Sequence, residues 1–130
     1  MSLGQSYELV GRILAALVLA GLKTQTIRPE DFGVSDDREG LGHFIDVVNW
    51  LRNEGLVTTG KPLLNGWYPA VQLTARGIAA VESGSFTGTS GKSVRETVEE
   101  KAREGLTADL YGKIGSFVGG LLGGFAQSAS

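Results

Sequence analysis

The sequence predicts a mainly α-helical domain with one β-hairpin, an α+β fold, followed by a flexible linker and an amphipathic, glycine-rich C-terminal helix. Apolar residues recur at helical spacing near both ends of the chain, and two β-prone segments flank an Asn-Gly pair. A segment rich in Ser, Gly and Thr separates this domain from the C-terminal segment, which we call the tail. The predicted boundaries are residues 1–83 for the domain, 84–92 for the linker and 93–130 for the C-terminal segment.

Composition limits the classes of protein to which the chain can belong. A length of 130 residues with 42% hydrophobic content fits one core. There is no cysteine and we find no secretory signal, so we expect a cytoplasmic protein without disulfides or thiolate metal sites. The longest apolar stretch, residues 13–22, is shorter than the roughly 18 to 20 residues that span a bilayer, so a membrane is not an expected partner. The net charge of −2 provides no general attraction to nucleic acid.

The first predicted helix covers residues 7–22 and is apolar on two sides. One side carries Tyr7, Val10, Leu14, Leu17, Val18 and Leu22. The other carries Leu9, Ile13, Ala16 and Ala20. Such a helix is either the central helix of the domain or also part of a dimer interface.

A short helical turn and a longer helix come next. Pro29 occupies a first helical position, and Gly33 is a stop signal. The longer helix is predicted over residues 37–54, because Asp36, with a glutamate three residues later, resembles a capping box. Gly55 is expected to end this helix in the left-handed conformation.

The hairpin prediction rests on the pair Asn65-Gly66, the preferred sequence for a two-residue type I′ turn. That turn would place Thr58 opposite Leu73. Pro62 and Pro69 would then have to lie on an unpaired edge or at a distortion, because proline donates no hydrogen bond to a sheet.

Two local segments resemble a known superfamily. Trp50 to Val57 (Trp-Leu-Arg-Asn-Glu-Gly-Leu-Val) is similar to the passage from the recognition helix into the wing of winged-helix domains. Val71 to Gly77 (Val-Gln-Leu-Thr-Ala-Arg-Gly) is similar to the return from the wing into a closing helix, here over residues 75–81. The chain thus resembles the winged-helix (winged helix-turn-helix) superfamily over residues 5–83. It also resembles small uncharacterised bacterial or prophage proteins in which a winged helix precedes a glycine-rich C-terminal helix.

This resemblance implies that the helix over residues 37–54 enters the major groove of DNA. The residues expected at such an interface are Arg38, His43, Asn49, Arg52, Asn53 and, at the wing tip, Lys61. Residues 1–84 carry seven Lys and Arg against nine acids, whereas proteins that bind phosphates normally display a basic surface. Winged helices also bind proteins, so a protein-binding adaptor or phage-associated structural protein is the alternative to a DNA-binding regulator.

The C-terminal segment begins with a capping box, Ser93 with Glu96, and Gly105 and Gly112 leave open whether one helix or two follow. Its last part is an apolar stripe flanked by small residues four positions apart. Burying six apolar side chains contributes roughly 9 to 18 kcal/mol, while ordering about 14 residues costs roughly 14 to 28 kcal/mol. This helix therefore needs a surface to cover it.

Three surfaces could cover the stripe: the same segment of another copy, the chain's own domain, or a membrane. Self-association is the favoured prediction, because the pattern is self-complementary and glycine permits close helix approach. A homo-oligomer is the expected state, and a glycine-zipper tail acting on membranes is the weakest alternative. The residues assigned to self-association are Ile114, Gly115, Phe117, Val118, Gly119, Leu121, Leu122, Gly123 and Phe125.

No group of residues predicts catalysis. His43 is the only histidine, and the acid pairs Asp36-Asp37 and Glu99-Glu100 are adjacent residues that point in different directions on a helix. We therefore expect no catalytic residues, no metal site and no cofactor. The sequence predicts a non-enzymatic interaction or regulatory module of bacterial or phage origin.

Overall fold

The computed structural model describes residues 2–84, 86 and 91–129, with side chains as far as residue 122. The helices are α1 (Leu3–Ala20), α2 (Arg38–Asn53), α3 (Ala75–Glu82), α4 (Val94–Lys101) and α5 (Ala108–Ala129). The strands are β1 (Gln25–Ile27), β2 (Val57–Thr58) and β3 (Tyr68–Leu73), and a 3₁₀ turn covers Pro29–Phe32. The three strands form an antiparallel sheet in the order β1-β3-β2. The predicted mainly helical α+β class is confirmed.

Helix α1 is the central helix of the molecule and packs on α2, α4 and α5. Buried residues lie on both of its predicted apolar sides, so the central-helix interpretation is confirmed. Two assigned residues are exceptions, because Ala16 and Leu22 are exposed. The helix ends at Ala20, where Gly21 turns the chain with a φ of 69°, and Leu22 therefore lies beyond the buried face.

The start of α1 precedes the predicted start at Tyr7. The Ser2 hydroxyl accepts a hydrogen bond from the Gln5 backbone N–H at 3.2 Å, and the Gln5 side-chain oxygen accepts one from the Ser2 backbone N–H at 2.8 Å. This reciprocal capping box satisfies donors of the first turn. The helix can therefore begin at Leu3.

Among the described residues, α1 is the one helix whose length and hydropathy would allow it to cross a membrane. The core helix of a globular protein can be equally long and apolar. In α1, 44% of the apolar window is buried inside the molecule, which agrees with its central position.

Asp37, not Asp36, caps helix α2. The Asp37 carboxylate accepts a hydrogen bond from the Gly40 backbone N–H at 2.8 Å and one from the Ser35 hydroxyl at 3.0 Å. These two bonds stabilise the charged carboxylate, the backbone bond more strongly, and lower the pKa of Asp37. The predicted helix over residues 37–54 is thus shorter by one residue at each end.

The end of α2 is a Schellman motif with the predicted left-handed glycine. Gly55 adopts a φ of 74°. The Leu56 N–H donates to the Leu51 carbonyl at 2.9 Å, and the Gly55 N–H donates to the Arg52 carbonyl at 3.0 Å. Leu51 and Leu56 are both fully buried, so the motif turns the chain from α2 directly into the core.

The register of the hairpin differs from the predicted one by one residue. Val57 pairs with Leu73 and Thr58 with Gln72. Residues opposite each other in an antiparallel pair share a face, so the observed register places the buried Val57 and Leu73 together. The predicted pairing would have placed the exposed Thr58 on the core side. The third strand, β1, was not predicted.

The hairpin loop is also not the predicted type I′ turn. The Leu63 N–H donates to the Trp67 carbonyl at 2.9 Å, and the Gly66 N–H donates to the Leu63 carbonyl at 3.1 Å. A type I′ turn needs a positive φ at Asn65, but among the described non-glycine residues only Ala70 has one. At the end of the loop between β2 and β3 the chain instead turns through residues 64–66, which the bond between Leu63 and Trp67 closes, with Gly66 at a φ of 84°; three-residue turns with glycine at the left-handed position are common in hairpins.

A bulge in β3 accommodates one of the two prolines. The register of β1 against β3 shifts by one residue, so Pro69 and Ala70 together oppose Thr26. A bulge places one extra residue in a strand and leaves it unpaired. Ala70 accordingly has a φ of 54°. The prediction of a distortion at Pro69 is confirmed, and Pro62 lies in the loop outside the strands.

The tail contains two helices rather than one. Ser93 and Glu96 form the predicted capping box, with reciprocal hydrogen bonds of 3.1 and 3.3 Å. Helix α4 ends at Lys101, and Gly105, with a φ of 94°, separates it from α5. Gly112 lies inside α5.

Helix α5 packs on α1 of the same chain. Ile114, Val118 and Leu122 are buried there and belong to one core cluster with α1, α2 and the sheet. Residues 85 and 87–90 of the predicted linker lie outside the described residues, while Phe86 packs edge-on against the ring of Phe117, with centroids 5.3 Å apart. The division of the chain at residues 83 and 92 stays a prediction.

Candidate functional site

Four of the residues predicted to contact DNA lie together on the side of α2 that faces away from the core. The opposite side of the helix is buried through Phe44, Val47, Val48 and Leu51. Arg38, Arg52 and Asn53 are exposed, and Asn49 is half-buried. We call these four residues the outer face of α2.

His43 does not belong to the outer face. It is half-buried, and its Nε2 atom is 2.9 Å from the Ser6 hydroxyl of α1. No described side chain hydrogen-bonds the Nδ1 atom, so no carboxylate is present there to orient the imidazole as a catalytic triad requires. The contact instead joins α1 to α2.

The hairpin folds back against the start of α2. Gly66 is buried, and a β-carbon at that position would lie 3.6 Å from Leu41 and 3.9 Å from Pro29. The Arg28 guanidinium lies 5.2 Å from the ring centre of Trp67, a cation–π contact. These contacts hold the hairpin beside the N-terminal half of α2.

The remaining predicted DNA contact, Lys61, is exposed in the hairpin loop. Two apolar side chains lie beside it. Leu63 is half-exposed and Leu64 is fully exposed. The hairpin tip, residues 61–64, therefore presents one cation next to two leucine side chains.

Arg38, Arg52 and Lys61 make no ion pair with any described residue. In contrast, Arg28 is bidentate to Asp31 at 3.0 and 3.1 Å, and the bond to Asp31 raises the pKa of Arg28. The cations of the outer face and hairpin are thus available to an external anion.

Behind the outer face, Tyr68 is buried in the core and packs on Phe44, with ring centroids 6.1 Å apart. Burial raises the pKa of the Tyr68 hydroxyl because the phenolate would lose its hydration. This group is a neutral support for α2 at physiological pH.

A second surface, a cleft of 780 Å³, lies between α1, α2 and α5. The wall formed by α2 carries Glu39, His43, Asp46, Trp50 and Glu54. These residues follow one another at intervals of four, three, four and four, so they form one stripe along the helix in which acids alternate with rings. Sequence reasoning missed this stripe and grouped His43 with the residues expected to contact DNA.

The facing wall of the cleft is α1, and α5 also contributes to its lining. Tyr7 and Ser6 lie on the α1 wall, and Gly119 and Leu122 come from α5. A β-carbon at Gly119 would lie 2.9 Å from the Cε1 atom of Tyr7. The absence of a side chain at residue 119 therefore makes room for the tyrosine ring at the edge of the cleft.

The residues assigned to self-association are largely covered by the same chain. Ile114, Gly115, Val118 and Leu122 are buried. Phe117 and Leu121 are half-buried, and Gly119 faces Tyr7. Gly123 and Phe125 lie beyond residue 122, the last residue whose side chain is described. The structure thus shows the alternative in which the stripe packs on its own domain, and a homo-oligomer stays a prediction that would need another surface.

Within the described residues, no group of three or more His, Asp or Glu side chains is close enough to hold a metal ion. Comparison of the chain with protein-family models, with curated proteins and with solved structures gave no match. The surfaces that bear on function are therefore the outer face of α2, the hairpin tip and the cleft.

Proposed function

We propose that this protein is a non-enzymatic regulatory module that binds double-stranded DNA through the outer face of α2 and the hairpin tip. The observation that supports this most directly is the set of unpaired cations, Arg38 and Arg52 on the same face of α2 as the amides of Asn49 and Asn53, and Lys61 in the hairpin loop. Arginine and asparagine are the side chains best suited to base edges, and arginine and lysine bind phosphates.

The shape of this region is compatible with a DNA groove. Helix α2 has 16 residues and is therefore roughly 24 Å long. A helix about 10 to 12 Å wide fits the major groove of B-DNA, which is about 12 Å wide. The core covers one side of α2 and leaves the outer face free along its length. The resemblance to winged-helix domains favours the same docking, with a cytoplasmic protein of bacterial or phage origin.

The charge of the chain limits the strength of this binding. Contact with three phosphates would give a salt slope of about −2.7, so the affinity should fall about fortyfold between 50 and 200 mM salt. A strongly basic protein would show a steeper dependence. The net charge of −2 thus predicts weak nonspecific binding, visible mainly at low salt.

An electrophoretic mobility-shift assay tests the proposal, with genomic DNA fragments at low salt. We expect a shift at micromolar protein that is lost in the double variant Arg38→Ala, Arg52→Ala. Lys23→Ala is the matched control, because Lys23 is exposed and unpaired but lies between α1 and β1, away from the outer face. Absence of any shift at 50 mM salt or below would contradict DNA binding.

A second candidate function is a protein-binding adaptor or phage-associated structural component. The half-exposed Leu63 and the fully exposed Leu64 of the hairpin tip support it, because adjacent apolar side chains left in solvent contribute little to folding and can form part of a contact surface. This candidate predicts that Leu63→Ser with Leu64→Ser leaves the unfolding midpoint unchanged. A drop in that midpoint would instead assign the two leucines to the stability of the fold.

The weakest alternative, a tail that acts on membranes, would require α5 to leave α1, since Ile114 and Val118 are covered there. Liposome flotation of the full chain tests it beside a version that lacks residues 112–130. Flotation of the full chain alone would support a membrane role.

A further inference from the structure

We propose that the cleft between α1, α2 and α5 is a binding site for a small organic cation, an ammonium group attached to an apolar or aromatic body. The site lies beside the outer face on α2 and shares Arg38 with it, but its ligand is a small cation and its test does not use DNA. It would make the protein a ligand-binding module whichever macromolecule it contacts.

The size and lining of the cleft suit a small molecule. Its volume of 780 Å³ lies within the roughly 300 to 1,000 Å³ typical of ligand sites. Val10, Val47 and Leu122 contribute to its lining from three different helices, and all three are buried. The cleft is therefore backed by the apolar core, and apolar ligand surface placed against its lining is removed from water, which favours binding.

The charges around the cleft select the sign of the ligand. Glu39, Asp46 and Glu54 line it, and none of them makes an ion pair with a described residue. Arg38 is the one cation among the described lining residues. With His43 neutral, the ionisable side chains of the lining sum to −2. A cation is attracted to this recess and an anion is repelled.

Aromatic rings on facing walls favour an organic cation over a hydrated inorganic one. Trp50 from α2 and Tyr7 from α1 are both half-buried in the lining, and the faces of such rings attract ammonium groups. An inorganic divalent ion would need clustered oxygen ligands, and no described group of three His, Asp or Glu side chains provides them. Separate carboxylates with rings between them suit a larger cation whose charge is spread over methyl groups.

Two contacts hold the walls in place before any ligand binds. The Ser6 hydroxyl and His43 Nε2 atom, 2.9 Å apart, connect the α1 and α2 walls of the cleft. Gly119 leaves room for the Tyr7 ring against α5. A site whose walls are already connected loses less freedom on binding.

Nuclear magnetic resonance can test this proposal with the full chain. The protein has two tryptophans: Trp50 lines the cleft, and Trp67 lies in the hairpin under Arg28. Phenyltrimethylammonium is the probe, and tert-butylbenzene, its neutral isostere, is the matched control ligand. We expect saturable shifts of the Trp50 indole N–H with the ammonium probe, little change with the isostere, and an unmoved Trp67 signal throughout.

The variant Asp46→Asn tests the charge of the cleft, and Glu104→Gln, an exposed acid between α4 and α5, is the matched control. Loss of the Asp46 charge should weaken binding of the ammonium probe roughly fivefold, while Glu104→Gln should leave it unchanged. An unmoved Trp50 signal at 10 mM probe, equal shifts with the neutral isostere, or equal affinity in Asp46→Asn would each overturn the proposal. An unchanged Trp67 signal in the variant reports that the fold is intact. None of these results depends on the DNA assay.

Discussion

Gly115 on α5 lies directly against the main-chain carbonyl group of Tyr7 on α1. A β-carbon at residue 115 would lie 2.0 Å from the Tyr7 oxygen, and a β-carbon at Gly11 would lie 1.9 Å from the carbonyl oxygen of Tyr111. In each helix the glycine and the tyrosine are four residues apart, so the two contacts are reciprocal across an antiparallel pair. Glycine thus allows the backbones of α1 and α5 to touch, and this contact covers the apolar stripe of the tail.

Gly115→Ala should destabilise the protein. The added methyl group has to displace backbone rather than a flexible side chain, and overpacking of this kind costs about 1 to 3 kcal/mol. Gly42→Ala, inside helix α2, is the matched control, because nothing lies within 4 Å of a β-carbon there. That change should raise the free energy of unfolding by up to about 1 kcal/mol through helix propensity. Urea unfolding measures both, and equal stability of the two variants would contradict the docking of α5 on α1.

Ala70→Gly should preserve or raise stability, although glycine usually weakens a strand. Ala70 holds a φ of 54° at the bulge of β3, a conformation that costs other residues about 1 to 2 kcal/mol relative to glycine. This relief offsets the roughly 0.5 to 1 kcal/mol that glycine loses in conformational entropy. Ala16→Gly, at an exposed helical position of α1, should instead cost about 1 kcal/mol. A loss of similar size at residue 70 would show that the left-handed conformation is not strained.

The cap of α2 should make stability depend on acid pH. The Gly40 N–H, with a smaller contribution from the Ser35 hydroxyl, lowers the pKa of Asp37 below its ordinary value of 3.8. The stabilisation is therefore complete above that value and is lost as pH falls through the lower pKa of the folded state. Asp37→Asn retains a cap oxygen but no charge, so its deficit relative to the native chain should shrink below pH 3.8.

Thermal unfolding from pH 7 to pH 2.5 measures this difference for Asp37→Asn. Asp36→Asn is the matched control, because Asp36 accepts no hydrogen bond from the backbone of α2. A pH-dependent difference of equal size in that control would assign the effect to general charge rather than to the cap.

Ile114→Ala should cost about 2 to 5 kcal/mol of unfolding free energy, since Ile114 is fully buried between α5 and the core. Leu121→Ala, at a half-buried position of the same helix, should cost less. Chemical denaturation of both variants measures the difference. Equal, small losses would mean that α5 leaves the core without consequence for the rest of the fold.

If α5 stays packed on α1, homo-oligomerisation would have to use the side of α5 that faces away from α1. Gly112 and Gly120 lie there with open space beside them, and close packing of a second helix on such residues is sterically permitted. Sedimentation velocity of the full chain should show a species larger than the monomer, and Gly120→Asp should shift it towards the monomer. The control Leu64→Ser, at the hairpin tip, should leave the size of the sedimenting species unchanged. A monomeric full chain at high micromolar concentration would contradict the predicted homo-oligomer.

The elements that sequence reasoning located correctly depend on neighbours within about five positions. Thr74 caps α3 by accepting a hydrogen bond from the Gly77 N–H at 3.0 Å, and Ser93 and Gly55 act in the same local way. Each motif satisfies backbone groups that a helix end leaves unpaired, so its residue types can be recognised wherever they occur. Local signals fail where alternatives are adjacent, as with Asp36 and Asp37, both of which are good caps.

Contacts between distant segments decided the rest. The register of the hairpin followed burial of Val57 and Leu73, which local turn preference at Asn65 could not anticipate. As a sequence pattern, the glycine spacing of the tail is equally compatible with packing on another copy and with packing on its own domain. The structure shows packing on its own domain, and this contact needs Gly11 of α1, about a hundred residues away in sequence. The cleft likewise exists only because three helices meet. Hydrogen bonds that close within one turn can be read along the chain, whereas close packing depends on which surfaces fit together in space.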